Sequence, residues 1–159
     1  MRIDVGFNKP ITPEMIVRDY PCLLRDDKKN PMPAPRLNMY PPETMIAEKM
    51  HAIAFFQAYN TRTRDYYDLY TLLGKFDFDD EILGNAIRRT FAKEDTVVPT
   101  EWAGLSVEYA TDKEKDWKNF NKTTSFRDDT PDFKVVVSSI LERMEAPLAL
   151  AREASGMSI

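Results

Sequence analysis

One lysine falls where helical periodicity predicts an apolar side chain. Residues 43–59 have the 3.6-residue period of a helix. Lys49 lies three residues after Ile46 and four before Ile53, inside the apolar arc of that helix. Burying an unpaired charge is costly, so this ammonium must reach solvent, pair with a carboxylate or face a cleft. An ammonium that carboxylates hold at the wall of a cleft is suited to binding a phosphate group.

Two aspartates take a similar position on the next predicted helix, which ends near residue 75. Asp65 precedes Leu69 by four residues and falls within the apolar arc, and Asp68 lies at the edge of the same face. Asp65 is also in the first turn, where the helix dipole favours a carboxylate. Two interpretations stay open. The aspartates and Lys49 form an ion pair that only joins two helices, or they hold a phosphate-binding lysine.

Asp4 is the third candidate carboxylate, and it belongs to a stretch with the alternation of a β-strand. Ile3, Val5 and Phe7 would form the apolar face of this strand, with Asp4 on the opposite side. A carboxylate on a strand can bind a metal ion or accept a proton in phosphoryl transfer. A solvated aspartate on the polar face of a strand is the simpler interpretation.

Prolines and a change of period delimit the elements that must position these groups. Extended stretches are predicted over residues 2–7, 16–24 and 36–40, with prolines inside and between them. After Pro42 the period becomes helical, and further helices are predicted over residues 79–93 and 112–120 and from Thr130 towards Pro147. We therefore expect an α+β fold with short N-terminal β-strands followed by a mainly α-helical region.

The sequence predicts the locations of several other side chains on the first two helices. His51 is expected on the exposed, polar side of the first helix. Six aromatic side chains are interpreted as mostly core rather than as a platform for stacking bases: Phe55, Phe56, Tyr59, Tyr66, Tyr67 and Tyr70.

Composition excludes several classes of protein. The 159 residues are 43% hydrophobic and 30% charged, with a mean hydropathy of −0.48, which indicates a globular chain without a transmembrane helix. The net charge of −4 gives no overall nucleic-acid footprint, although a local basic patch stays possible. A single cysteine and a single histidine exclude an internal disulfide and a Cys/His zinc site. No apolar leader precedes the first predicted strand, so we expect a cytoplasmic protein.

Two motifs carry a resemblance to a known family. The run YPPETMIAEKMHA at residues 40–52 and the run TRDYYDLY at residues 63–70 resemble the C-terminal half of the AbiEii/AbiGii toxin family of nucleotidyltransferases. In that family a glutamate and an "AEK" helix precede an "RDxxDL" helix. The run RIDVGF at residues 2–7 resembles the family strand that bears the third active-site carboxylate, and DWKNF at residues 116–120 resembles part of the family's tail.

The resemblance implies a nucleotidyltransferase fold. Residues 1–42 would be part of its mixed sheet, and residues 43–159 would be its helical C-terminal region. Members of the family use a nucleoside triphosphate and Mg²⁺, and some are toxins of toxin–antitoxin or abortive-infection pairs that modify the acceptor ends of tRNA. The implied partners are an antitoxin protein and tRNA, with no membrane.

The resemblance also implies roles for individual residues. Lys49 would contact the triphosphate, and Arg64 would help to bind the substrate. Asp65 or Asp68 would position the lysine or help to activate the acceptor. Asp4 would be the third catalytic carboxylate and the metal ligand.

Two elements of the family pattern are not found in these residues. The Gly-Gly/Ser loop that cradles phosphates and the Asp-x-Asp strand that holds the metal ions would precede Asp4, and no two of the five glycines are adjacent. Without them, metal-assisted transfer loses its main electrophilic groups. We therefore expect the second half of an enzyme, from a miscalled start, a split or decayed gene or a truncation. Alone it would be inactive, with neither Mg²⁺ nor a nucleotide bound.

The alternative to an enzyme fragment is a non-catalytic protein. It would be a binding module, or a remnant, that contacts RNA or a protein partner. In either case, the strand predicted over residues 2–7 would present unpaired backbone groups and an apolar face. Such an edge promotes association, so we expect a homo-oligomer, most simply a two-fold dimer.

Overall fold

Two short antiparallel strands precede a helical assembly in this protein. The computed structural model describes residues 10–20, 22, 24–123 and 130–153. The strands are β1 (Ile16–Asp19) and β2 (Arg36–Met39). The helices are α1 (Pro42–Phe56), α2 (Thr63–Lys75), α3 (Asp80–Lys93), α4 (Val107–Asp112), α5 (Glu114–Thr123) and α6 (Phe133–Glu153). The predicted α+β class is confirmed. The strand predicted over residues 2–7, which includes Asp4, lies outside the described residues.

Helix ends follow the local chemistry of the chain. Pro42 occupies the first position of α1, where its missing N–H costs nothing. The side chain of Asp79 accepts a hydrogen bond from the N–H of Ile82 at 2.9 Å and so caps α3. The first helix was predicted to continue to residue 59, but α1 ends at Phe56. Gln57 has a positive φ of 49° and leads into a 3₁₀ turn, Gln57–Tyr59, which changes the direction of the chain.

The core lies between α1, α3 and α6, with α2 packed against α1 and α6. Gly84 of α3 permits a close approach to α6, because a Cβ at this position would lie 3.0 Å from the carbonyl oxygen of Pro147. Pro147 was expected near the end of the last helix, but α6 continues to Glu153. Pro147 is buried against α3, and this packing offsets the backbone hydrogen bond that proline cannot donate.

The region between α3 and α6 differs from its prediction. The helix expected over residues 112–120 corresponds to α5, which begins and ends slightly later, and the short helix α4 before it was not predicted. Trp117 of α5 is buried, and its indole N–H donates to the carbonyl oxygen of Pro131 at 2.9 Å. Its ring stacks on Phe133 with centroids 4.9 Å apart. This tryptophan therefore joins α5 to the beginning of α6.

The strands form a ribbon that has little core of its own. β1 and β2 are antiparallel, with Ile16 opposite Met39 and Asp19 opposite Arg36, and nearly all of their side chains are exposed. The extended stretch predicted over residues 16–24 is shorter, because β1 ends at Asp19. Two hydrogen bonds of 2.9 Å between Thr12 and Thr44 join the segment before β1 to the first turn of α1. Within the described ranges, no helix has the length and apolar character needed to cross a membrane.

Candidate functional site

The centre of the site is a lysine ammonium between two carboxylates. Lys49 Nζ on α1 donates to Asp65 Oδ1 and to Asp68 Oδ2 on α2, each at 2.8 Å. The Lys49 side chain is 20% exposed and that of Asp65 is 8% exposed. The predicted convergence of these three side chains is confirmed. It arises because the two helices pack with their charge-bearing faces towards each other.

Two arginines extend the contact into an ion cluster, which we define as Lys49, Arg62, Arg64, Asp65 and Asp68. Arg62 Nε lies 2.7 Å from Asp65 Oδ2, three residues along the chain. Arg64 Nε lies 3.9 Å from Asp68 Oδ2. The ion cluster thus contains three cations and two carboxylates, so it carries one positive charge in excess.

Buried hydrogen bonds hold the start of α2 in place. The Asn60 side-chain oxygen accepts from the N–H of Arg62 at 2.9 Å. The Tyr109 hydroxyl donates to the carbonyl oxygen of Asn60 at 2.7 Å, and the Tyr66 hydroxyl donates to the carbonyl oxygen of Gly104 at 2.9 Å. Burial raises the pKa of both tyrosines, which keeps them neutral and able to donate. These contacts fix the backbone that carries Asp65.

The two aspartates keep the lysine charged although it is partly buried. Burial is the largest single influence on the pKa of Lys49 and acts to lower it. The hydrogen bonds and charges of Asp65 and Asp68 together outweigh burial, so that the pKa of Lys49 is raised above its ordinary value. Lys49 is therefore a cation at neutral pH.

A cleft of about 470 Å³ opens beside the ion cluster. Two cations, Lys49 and Arg62, and three carboxylates, Glu48, Asp65 and Glu94, line the cleft. Its apolar lining includes Ala52, Phe55 and Phe56. An ammonium has three N–H donors, and Lys49 uses two of them on the aspartates. The third has no acceptor among the described residues, and Lys49 borders the cleft. Lys49 can therefore donate one charge-assisted hydrogen bond to an anion in the cleft, next to the exposed Arg62.

Three aromatic side chains near the end of α1 are exposed, although they were predicted to belong to the core. Phe55 is 65%, Phe56 40% and Tyr59 89% exposed, whereas Tyr66 is fully buried and Tyr67 and Tyr70 pack partly against the core. The prediction was wrong for the first three, since they lie where α1 ends and the chain turns away from the core.

His51 also differs from its prediction. It is half-buried rather than exposed, and its ring packs edge-on against Phe91 with centroids 5.0 Å apart. Its Nε2 lies 3.0 Å from Thr96 Oγ1. His51 therefore contributes mainly to the packing of α1 on α3.

The described residues do not fit a magnesium site. No three carboxylate, histidine or cysteine side chains within residues 10–20, 22, 24–123 and 130–153 come together as a set of metal ligands. The two carboxylates of the ion cluster are already paired with cations, which is unfavourable for binding a further divalent ion. Asp4, the predicted metal ligand, lies outside the described residues.

Comparison with known proteins identifies the family. Residues 1–139 match the profile of the family described as "Nucleotidyl transferase AbiEii toxin, Type IV TA system". The chain belongs to this family. The AbiEii match covers both the "AEK" and the "RDxxDL" motifs, and it confirms the resemblance inferred from them. No curated protein and no solved structure gives a significant match.

AbiEii membership gives the general character of the protein. It is a member of a family of nucleotidyltransferase-like toxins from toxin–antitoxin systems, which implies an antitoxin as its counterpart. Nucleotidyltransferases in general use a nucleoside triphosphate and Mg²⁺. The ion cluster lies within the matched residues.

Sequence reasoning missed two parts of the site. The pairing of Arg62 with Asp65 has a signal in the sequence, because residues three apart on a helix are neighbours. The aromatic end of the cleft has a weaker signal, namely two consecutive phenylalanines just before the predicted helix end. Arg64 was predicted as a substrate-binding residue, and it is exposed at the edge of the ion cluster.

Proposed function

We propose that the ion cluster is the phosphate-binding part of a nucleotidyltransferase site that transfers a nucleotidyl group to an RNA acceptor such as tRNA. The observation that carries this proposal is the position of Lys49. Its ammonium is held at 2.8 Å by two carboxylates, keeps one donor and borders an open cleft. Family membership supplies the reaction class.

Each member of the ion cluster has a role in this proposal. Lys49 contacts a phosphate oxygen. Asp65, which is buried and bonded to two cations, is a positioning residue. Asp68 is more exposed and either positions Lys49 or helps to activate the acceptor hydroxyl. Arg64 is an exposed cation that meets the substrate at the edge of the site.

The remaining roles come from the family resemblance. Asp4 is proposed as the third catalytic carboxylate and as the metal ligand. Residues 1–42 are proposed to contribute to the sheet of the nucleotidyltransferase, and residues 43–159 to form the helical region that carries Lys49.

An ion pair with a purely structural role is the main competing interpretation. Buried ion pairs often join helices without binding anything. Such a pair needs neither a spare donor nor access to solvent, whereas Lys49 keeps a third N–H and borders a cleft. These two features favour phosphate binding.

Phosphate binding can be tested by NMR titration of the isotope-labelled 159-residue protein, a method that measures weak affinities. We expect inorganic tripolyphosphate to shift resonances of α1 and α2. Lys49→Ala should weaken this binding at least tenfold, because a charge-assisted hydrogen bond and a unit of positive charge are lost. Lys134→Ala is the matched control, since Lys134 is exposed and does not line the cleft. Equal weakening by both substitutions, or no binding by the unaltered protein, would overturn the phosphate site.

Transfer itself has a separate expected outcome. We expect the 159-residue polypeptide to transfer no nucleotide by itself, because its sequence contains no Gly-Gly/Ser loop followed by an Asp-x-Asp strand. The Asp-x-Asp spacing of Asp77 and Asp79 lies between α2 and α3, where Asp79 caps α3. Incubation with Mg²⁺, labelled nucleoside triphosphates and bulk tRNA checks this. Incorporation of label that is lost in Lys49→Ala would contradict the expected inactivity and support the assigned role of Lys49.

We further propose that the protein self-associates. The β1–β2 ribbon supports this proposal, because apolar side chains such as Val17, Leu37 and Met39 are exposed on a two-stranded sheet. A ribbon of two strands is marginally stable unless another surface covers it. Light scattering at micromolar concentration should give a mass near twice 18.4 kDa. A monodisperse monomer would contradict the proposal.

A further inference from the structure

The cleft beside Lys49 has two chemically different ends. One end carries charged groups, namely the cations Lys49 and Arg62 with the carboxylates Glu48 and Asp65. The other is aromatic and contains Phe55 and Phe56. Both ends belong to one continuous cleft, so a ligand that occupies it meets a charge at one end and ring faces at the other.

Helix geometry sets the distance between the two ends. Lys49 and Phe56 are seven residues apart on α1, which places them on the same side of the helix and about 10.5 Å apart along its axis. Ala52 lies between them and also lines the cleft. Its small side chain leaves the path from the lysine to the phenylalanines open. This separation is comparable to the reach of one nucleotide from its phosphates to its base.

The two phenylalanine rings are held in place although they are exposed. Their centroids lie 5.2 Å apart in an edge-to-face arrangement, and the Phe55 ring also stacks on His51 at 6.2 Å. His51 is in turn packed against the core residue Phe91. The rings therefore form a supported surface, which loses little conformational freedom when a flat ligand stacks on it.

We propose that the Phe55–Phe56 end of the cleft binds the base of the nucleoside triphosphate whose phosphates contact Lys49. The inference rests on the proposed function and adds to it the site of the base. Stacking on aromatic rings accepts every base, so the site holds the nucleotide without selecting purine or pyrimidine. A ligand that bridges both ends gains from each, which a phosphate group or a free base does not.

The test compares ATP with inorganic tripolyphosphate in the same NMR titration. The sequence by itself predicts that these 159 residues bind no nucleotide, whereas the cleft leads us to expect ATP binding that is weak but tighter than that of tripolyphosphate. Phe56→Ala should weaken ATP binding about tenfold, because one base loses its stacking partner, and should leave tripolyphosphate binding unchanged. Phe56→Leu should also weaken it, since leucine keeps an apolar side chain but has no ring. Phe76→Ala is the matched control, because Phe76 is a comparably exposed phenylalanine outside the cleft.

The outcomes separate this inference from the proposed function. If Lys49→Ala weakens the binding of both probes and Phe56→Ala weakens neither, the phosphate site stands and the base site is overturned. If Lys49→Ala leaves tripolyphosphate binding unchanged, the phosphate site itself is overturned. If Phe56→Ala weakens binding of a short single-stranded RNA but not of ATP, the aromatic end contacts the acceptor and the inference is also overturned. Phe55→Ala provides a second variant if Phe56→Ala does not fold.

Discussion

Two of the clefts formed by the described residues each have a hydrogen-bonded cation at the wall, and they differ in what surrounds this cation. The cleft beside Lys49 has about 470 Å³. A larger groove of about 670 Å³ lies between α2, α3 and α6 and contains Arg143. In the groove, Arg143 Nη2 donates to the carbonyl oxygen of Leu73 at 2.9 Å, close to the end of α2. In the cleft, Lys49 donates to two carboxylates and keeps a third N–H.

The difference makes the smaller cleft the better candidate for binding an anion. Arg143 satisfies carbonyl groups that a helix end leaves without partners, which is a structural role. Its groove is also lined by four carboxylates, which repel an anion: Asp77, Asp80, Glu142 and Glu145. The smaller cleft is less acidic, since its two cations, Lys49 and Arg62, face three carboxylates, whereas the groove has one cation and four carboxylates. Lys49 also keeps a third N–H that no described residue accepts. The smaller excess of carboxylates and the spare donor therefore distinguish the candidate site.

The largest expected effect is the loss of stability when Asp65 is removed. Asp65→Ala should lower the free energy of unfolding by about 3 kcal/mol, because Lys49 and Arg62 lose a buried partner. Asp77→Ala, in the other groove, should change it by less than about 0.5 kcal/mol, since the Asp77 side chain is fully exposed. Urea denaturation measures both. Similar losses for the two variants would remove the distinction between the clefts.

The next effect concerns anion binding in the two clefts. Lys49→Met should weaken tripolyphosphate binding at least tenfold, or about 1.4 kcal/mol, because methionine keeps the length of the side chain but has no charge. Arg143→Met should leave the affinity unchanged, since Arg143 is already bonded to backbone carbonyls and lies among carboxylates. NMR titration of both variants checks this. Weaker binding in Arg143→Met would assign phosphate to the larger groove.

A smaller effect should separate the structural role of Arg143 from binding. Arg143→Ala should lower the free energy of unfolding by about 1 kcal/mol, which is typical of a hydrogen bond to a helix-end carbonyl. Arg143→Lys should recover only part of this loss, because lysine does not reproduce the planar guanidinium. Thermal and urea denaturation would show the change. An unchanged stability in Arg143→Ala would mean that the contact with Leu73 contributes nothing.

The smallest effect is a dependence of the Lys49 contribution on pH. The pKa of Lys49 is raised in the folded protein, so its contribution to stability is complete below the ordinary lysine pKa of 10.5 and is lost as pH rises above it. The stability difference between the unaltered protein and Lys49→Met should therefore be constant from pH 7 to about pH 10 and decrease at higher pH. Urea denaturation across this range measures it.

The pH dependence must be measured relative to Lys49→Met, because the ionisation of tyrosines also lowers stability at high pH. Burial raises the pKa of Tyr66 and Tyr109, so the unfolded chain ionises them first and stability falls above about pH 10 in both proteins. Subtracting the Lys49→Met curve removes this common loss. A difference that stays constant to pH 12 would show that Lys49 does not contribute through its charge.

Local chemistry made much of the fold predictable. Pro42 and Asp79 mark the beginnings of α1 and α3, and the helical periods of α2 and α6 follow the apolar residues that face the core. The end of α1 was predicted less well, because the positive φ of Gln57 has no marker in its residue type. The burial of Pro147 inside α6 was missed for a related reason, since only its packing against Gly84 offsets the lost hydrogen bond.

The sequence by itself determined which charged side chains face inward. The phase of a helix depends only on residue spacing, so Lys49 and Asp65 lie on the apolar sides of their helices and Asp68 lies at the edge of the same face. The family followed from the same residues because the motifs "AEK" and "RDxxDL" contain them.

Only the tertiary structure decided how these side chains are used. The packing of α1 on α2 sets both Lys49 contacts at 2.8 Å, and it leaves Lys49 at the border of an open cleft with one N–H that no described residue accepts. The exposure of Phe55 and Phe56 likewise depends on which elements cover the end of α1. Periodicity gives the direction of a side chain around its own helix, but distances and solvent access depend on neighbours that are remote in the chain.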